Sequence, residues 1–119
     1  MTAAQGGMTL IKSVFKGERL HNIMQAMESI GVYGMTVWEV KGHGRQKGHI
    51  EHYRGLEVTV NLLPKVIMEI VAPDEDVDRI VDEIVKAART GDIGDGKIFL
   101  LPVTEAVRIR TDDRGVGAI

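Results

Sequence analysis

Two amphipathic helical stripes, each held between strand-like runs, restrict this chain to few folds. Leu20, Ile23, Met24, Met27 and Ile30 repeat at the spacing of one helix face between Arg19 and Ile30. Gly31 follows as a C-cap candidate. Val77, Ile80, Val81, Ile84, Val85 and Ala88 form a second stripe. It opens with Pro73 and the acids Asp74, Glu75 and Asp76, where the helix dipole favours negative charge. Lys86 and Arg89 stand near its C-terminus, again with the dipole.

Strands are expected at Thr9–Phe15, Met35–Lys41, Val66–Ala72 and Lys97–Val103, with a short tail strand at Ala106–Thr111. The order β-α-β-β-α-β is that of the split βαβ, or ferredoxin-like, α+β sandwich. Two helices would cover one sheet face. The strands carry Val, Ile, Leu and Met on both alternations, so the other face is expected to bury against another copy of the chain.

The 119 residues suit one domain. A formal charge of −2 argues against general nucleic-acid affinity. The chain has no cysteine, which excludes disulfides and thiolate metal sites. No apolar run approaches a membrane span, and residues 1–8 read as a loose tail without signal-peptide character. A cytoplasmic protein with no direct membrane insertion is the expectation.

The chemistry concentrates in Thr90-Gly-Asp-Ile-Gly-Asp-Gly-Lys-Ile-Phe99, between the second helix and the fourth strand. Gly91, Gly94 and Gly96 allow tight turns and close approach to a ligand. Such a loop can offer backbone N–H groups to phosphate oxygens, with Lys97 completing the cradle. Gly91 to Lys97 fits G-x-x-x-x-G-K, but Ile98 stands where a Walker loop needs Ser or Thr for Mg²⁺, and the order is helix to strand. Spacing alone fits an ordinary glycine-rich turn equally well. The nearby Lys97, Arg108 and Arg110 favour phosphate. In an extended segment those two arginines would share one face and suit a polyphosphate.

Between Gly42 and Asn61 the periodicity lapses, and a connection of this length in a small domain tends to be functional or disordered. Its ends, particularly Glu57–Leu62, could extend the flanking strands as a ribbon. His43, His49 and His52 match no metal-ligand spacing and read as solvated. Trp38 reads as a packing residue, and the six methionines as gap-fillers.

Gly34-Met-Thr-Val37, Glu39-Val-Lys-Gly-His-Gly-Arg-Gln-Lys-Gly-His49, Tyr53-Arg-Gly55, Leu63-Pro-Lys65, the Thr90–Phe99 run and Arg108-Ile-Arg110 together resemble the PII signal-transduction family, cytoplasmic sensors of nitrogen and energy state. The likeness extends from Thr9 to Ile119. It implies a homotrimer with ATP or ADP in clefts between subunits, and 2-oxoglutarate binding beside Mg-ATP. It casts residues 44–62 as the target-docking T-loop, 90–97 as the B-loop and 108–119 as the C-terminal segment. Thr36 and the backbone near Val71 would meet adenine. Gly94, Asp95, Gly96 and Lys97 would hold the phosphates, with Arg108 and Arg110 reaching them across the cleft. Arg45 would contact the nucleotide in the ADP-like state. Gln46 would ligate Mg²⁺, and Lys65 would pair with a 2-oxoglutarate carboxylate. The backbone of Gly44, Arg45, Gln46, Lys47 and Gly48 would wrap the keto acid, with Gly44 also beside the nucleotide. Tyr53 and Arg54 would meet the target, an ammonium transporter or a nitrogen-metabolism enzyme.

Two departures from the family pattern stand out. Val58 occupies the position of the nucleotidylated tyrosine, and Leu56 that of a serine phosphorylated in some relatives, so covalent control there is not expected. Gly17-Glu18 stands where the family usually has Pro and an aromatic. A slow nucleotide-hydrolysing enzyme is the alternative function, with Asp95 the nearest acid to the loop but better read as structural.

Overall fold

The computed structural model describes residues 6–43, 49–53, 56–60 and 62–119, the two short middle stretches by their backbone alone. Among the described residues, six strands and two helices run in the order β1 (Met8–Lys16), α1 (Leu20–Ser29), β2 (Thr36–Gly42), β3 (His49–Tyr53), β4 (Leu56–Val60), β5 (Leu63–Pro73), α2 (Val77–Ala88) and β6 (Gly96–Val103). β2, β5, β1 and β6 form an antiparallel sheet in that order. This is the expected α+β ferredoxin-like sandwich.

The sheet register separates two faces. Ile11 opposes Ile70, Ser13 opposes Met68 and Phe15 opposes Val66, so these side chains lie on one face. All are buried there with Ile23 and Met27 of α1 and Val77, Ile80 and Ile84 of α2. The Ser13 hydroxyl is enclosed in this layer without a hydrogen-bond partner among the described residues. The opposite face carries Leu10, Lys12, Val14, Trp38, Ile67, Val71, Phe99 and Leu101, and neither helix covers it. Trp38 is 40% exposed and Phe99 49%.

Local chemistry sets the helix ends. Val32 N–H donates to Met27 O at 2.9 Å and Gly31 N–H to Glu28 O at 3.1 Å. With Gly31 at φ +81°, this is a Schellman stop, as the glycine predicted. A short 3₁₀ turn at Gly17–Arg19 leads into α1, and a Cβ on Gly17 would make only an ordinary contact with Val66. A second 3₁₀ turn, Asp74–Asp76, leads into α2 and is anchored by Asp74 N–H to Gly7 O at 3.0 Å. At the far end of α2 it is Arg19 that reaches the carbonyls. Its guanidinium donates twice to Ala87 O, at 2.9 and 2.7 Å.

Two stretches differ from expectation. In the long connection, β3 and β4 pair with each other as a separate two-stranded ribbon, His49 opposite Val60 and Tyr53 opposite Leu56. The expected tail strand at Ala106–Thr111 does not form. The chain turns there: Arg108 N–H donates to Asp113 O, Asp112 N–H to Arg108 O, and Asp112 takes φ +62°. The Thr111 hydroxyl donates to Asp113 Oδ2 at 2.7 Å, a local side-chain contact that favours the turn over an extended ladder. Gly115–Ala118 then forms a 3₁₀ turn, so the end of the chain has regular structure.

Phe15→Ala is expected to cost about 3–5 kcal/mol, since a large side chain is deleted from the closed layer. Denaturant unfolding checks this, and a cost below about 1 kcal/mol would contradict the packing described.

Candidate functional site

Five of the singled-out residues meet at one end of the sheet. Residues 89–95 leave α2 and turn back into β6 against the ends of β1 and β5. Gly96 makes this possible. Its φ is +112°, and a Cβ there would lie 1.8 Å from Val14 O. Only glycine allows the loop to enter β6 flush against β1.

Asp95 staples the loop to itself. Its Oδ2 accepts from the N–H groups of Thr90 and Gly91, both at 2.9 Å. Its Oδ1 accepts from the Thr90 hydroxyl and lies 3.4 Å from Lys16 Nζ. Hydrogen bonds from Thr90 and Gly91, the Thr90 hydroxyl foremost, hold this carboxyl far below the usual carboxylate range. Asp95 thus shapes the loop, as its structural reading anticipated. The amides of Thr90 and Gly91 serve the staple, which leaves Ile93, Gly94, Gly96 and Lys97 to face open space.

Lys65 approaches from β5 and donates to Gly94 O at 2.5 Å. Burial lowers its pKa most, and the charge of Lys16 adds to this, while Asp95 opposes it. Lys16 opposes Lys65 across the β1–β5 pair. It also donates to Thr90 Oγ1 at 3.1 Å.

A cleft of about 670 Å³ opens beside this cluster, within the range of small-molecule sites. Val14, Lys65, Ile93, Gly94, Gly96, Lys97 and Phe99 line it, together with Gly42, His43 and Leu63. The last three bracket the long connection, because Gly42 pairs with Leu63 at the ends of β2 and β5. Whatever fills the cleft therefore touches both the glycine loop and the base of the 44–62 insert.

The remaining candidates do not join this cluster within one chain. Thr36 lies on β2, the opposite edge of the sheet from β6, paired with Glu69. Val71 is beside Leu10, toward the far end of β1. Arg108 and Arg110 follow β6, whose seven steps from Gly96 to Val103 carry the chain about 24 Å from the loop. The turn there also removes the premise that the two arginines share one extended face. Arg108 is held by Asp113 Oδ2 at 3.2 Å and Gly117 O at 3.3 Å. Ile109 between them is 99% exposed. Gly44, Arg45, Gln46, Lys47, Gly48 and Arg54 lie outside the described residues, and Tyr53 is described by its backbone alone.

Sequence reading passed over Lys16, Thr90 as a loop staple, and the cleft wall of Val14 and Phe99. Strand register places Lys16 and Val14 there and no motif marks those two, while Thr90 and Phe99 end the glycine-rich run without that run showing these roles. Among the described residues, no cluster of three His, Asp or Glu side chains could hold a metal. The cations at the cleft suit phosphate or carboxylate. No helix among the described residues is long and apolar enough to cross a membrane.

Residues 8–113 match the family model described as "Nitrogen regulatory protein P-II". The chain is 52% identical over 112 residues to nitrogen regulatory protein P-II 2 of Methanothermobacter thermautotrophicus, spanning 94% of this chain and 97% of that one. It is 51% identical to nitrogen regulatory protein P-II 1 of Escherichia coli strain K12, spanning 94% and 100%. Among solved structures, Arabidopsis thaliana PII bound to citrate superposes with a TM-score of 0.78 at 34% identity, over 95% of this chain and 92% of that one.

Two outcomes follow from the geometry. Gly91, at φ +93°, has open space around a Cβ, so Gly91→Ala should cost only about 1–2 kcal/mol. Gly96→Ala adds a backbone clash and should cost about 3 kcal/mol or more by denaturant unfolding. Equal costs would contradict the flush contact. Separately, Asp95 has a depressed folded-state pKa. Its contribution is therefore complete above the unfolded value of about 3.9 and fades only as pH falls through the depressed value. An NMR titration of its carboxyl carbon should place the midpoint below the ordinary Asp range. A midpoint at or above that range would contradict the staple.

Proposed function

Because the chain belongs to the nitrogen regulatory protein P-II family, we propose that it is a metabolite-sensing regulator that reads ATP, ADP and 2-oxoglutarate. One observation carries the reading. A single cleft joins two cationic lysines, the glycine loop and both ends of the long insert. Lys97 and the Gly94–Gly96 backbone are suited to phosphate, and Lys65 to a carboxylate that draws it off the Gly94 carbonyl. The relative bound to citrate, a polycarboxylate, supports carboxylate recognition in this fold. Mg²⁺ would enter with the phosphates, held by Gln46, and would supply charge neutralisation shared between phosphate and keto acid.

The separation of half-sites fits a nucleotide held between copies. Gly94, Gly96 and Lys97 of one chain would take the phosphates, with Asp95 keeping the loop in shape and Lys65 beside them for the keto-acid carboxylate. Thr36, Val71, Arg108 and Arg110 of a neighbour would complete the adenine and outer phosphate contacts. The helix-free sheet face, with Trp38 and Phe99 exposed, is the surface such a homotrimer would bury.

Ligand at the base of residues 44–62 would shift the populations of that loop. The loop, through Tyr53 and Arg54, would then engage an ammonium transporter or an enzyme of nitrogen assimilation in the cytoplasm. With Val58 and Leu56 at the usual modification positions, control would rest on metabolites alone. Turnover of ATP would be slow at most. Asp95, the nearest acid, is a weak base whose oxygens are already engaged.

Calorimetric titration of Mg-ATP, with and without 2-oxoglutarate, tests the reading. Each ligand should tighten the other. Lys97→Ala should weaken ATP by about 1.5–3 kcal/mol. Gln46→Ala should spare ATP and abolish the keto-acid effect. Absence of nucleotide binding, or steady-state hydrolysis at many turnovers per second, would overturn it.

A further inference from the structure

A second cavity lies on the helix side of the sheet, between the last turns of α2 and the start of β6. Strand register explains it. On that side β6 sets Gly96 opposite Phe15 and Ile98 opposite Ser13. Gly96 has no side chain, Ser13 has a short one, and Ala88 on α2 is small as well. The packed layer thins among these three, and a cavity of about 320 Å³ is left. Close-packed interiors seldom hold a void of that size, which is that of a small-molecule site.

Most of its wall is apolar, with Phe15, Val81, Ile84, Val85 and Ile98. Two polar features interrupt it. Ser13 is part of the wall and 1% exposed, and its hydroxyl has no hydrogen-bond partner among the described residues. An enclosed hydroxyl without a partner is costly, and an occupant offering an acceptor would remove that cost. Rotation about χ1 to meet it would break no hydrogen bond. At the rim stand Arg89 and Lys97, both exposed, with neither side chain in an ion pair among the described residues. The rim acid, Asp95, is engaged by Thr90, Gly91 and Lys16. The C-terminal pole of α2 would repel an anion, but its Ala87 carbonyl accepts both bonds from Arg19. The mouth is therefore positive, the body apolar, and the buried wall holds one unsatisfied hydroxyl.

We propose that this cavity binds a small aliphatic monocarboxylate carrying a carbonyl oxygen near its far end. The carboxylate meets Arg89 and Lys97 at the rim. The chain lies against Val81, Val85 and Ile98, and the carbonyl accepts from Ser13. A second carboxylate at the far end would bring charge into the apolar part, so dicarboxylates do not fit. Lys97 lines both this cavity and the nucleotide cleft, whereas Arg89, Ala88 and Ser13 line this one and Lys65 lines the cleft. Substitution can thus separate the two sites.

The experiment titrates heptanoate and 6-oxoheptanoate, equal in chain length, into the full chain without nucleotide, following the backbone amide NMR signals of Val85, Ala88 and Ile98. The wild type should bind 6-oxoheptanoate with a Kd of about 1 mM or tighter, and about fivefold more tightly than heptanoate. Ser13→Ala removes only the unsatisfied hydroxyl, so the variant should fold, keep heptanoate and lose the preference. Arg89→Gln should weaken both probes about tenfold. Ala88→Leu fills the cavity and should abolish both. Absence of shifts at these signals in the wild type, equal affinities for the two probes, or a preference that survives Ser13→Ala would overturn the inference. Undiminished binding in Ala88→Leu, or shifts centred on Lys65 and Phe99, would place the carboxylate in the cleft and overturn it equally. Should Ala88→Leu fail to fold, Arg89→Gln, at an exposed position, decides the same point: unchanged affinity there also overturns the inference.

Discussion

In the central strand pair, Ile11 faces Ile70 and Phe15 faces Val66, on the side that the helices cover. A slip of β1 by one residue would turn Ile11 and Phe15 to the open face and drive Lys12 and Lys16 against α1 and α2. Burying two ammonium groups without partners is far costlier than any packing gain. The register is therefore fixed by the core, and the site follows from it. Lys16 lands opposite Lys65, and through β6 Phe15 lands opposite Gly96. That last pairing presses the glycine loop onto the Val14 carbonyl and holds the loop at the mouth of the cleft.

The same register leaves the second sheet face with Leu10, Val14, Trp38, Ile67, Phe99 and Leu101, interrupted at its centre by Lys12 and Glu69, 3.9 Å apart. A patch of this kind is unusual for a lone subunit and fits a surface shared between copies. Sharing would also explain the split of the candidate site. One chain offers the loop lysines at one end of its sheet and the arginines at the other, so a single nucleotide would need two chains to meet both sets.

Much of the architecture was legible because burial imposes period. The stripes Ile23–Met27 and Val77–Ile84 could only be helix faces, and Gly31 stopped α1 where its left-handed conformation was needed. The 106–111 tail misled because its short alternation carried no burial. Thr111, Asp112 and Asp113 instead spend their side chains on local turns, a preference written in those residue types. The β3–β4 ribbon is a sheet of its own: Leu56–Val60 alternates as a strand should, but His49–Tyr53 does not, so only the second half of the pair was visible. The loop's glycines and Lys97 were visible as a motif. Lys16 was not, because a residue's cross-strand neighbour depends on register, and register emerges only when the whole core is assembled.

The nucleotide site proposed between copies is tested most directly by co-assembly of two defective chains. Lys97→Ala spoils the loop end, and Arg110→Ala spoils the arginine end. Each variant alone should bind ATP poorly. Unfolding and refolding the two together at equal amounts should create, in about a quarter of the clefts, an intact loop facing an intact arginine. The account predicts that this fraction of tight ATP binding returns on mixing. Mixtures that bind no better than the separate variants would contradict it, because a site contained within one chain would remain defective in every copy.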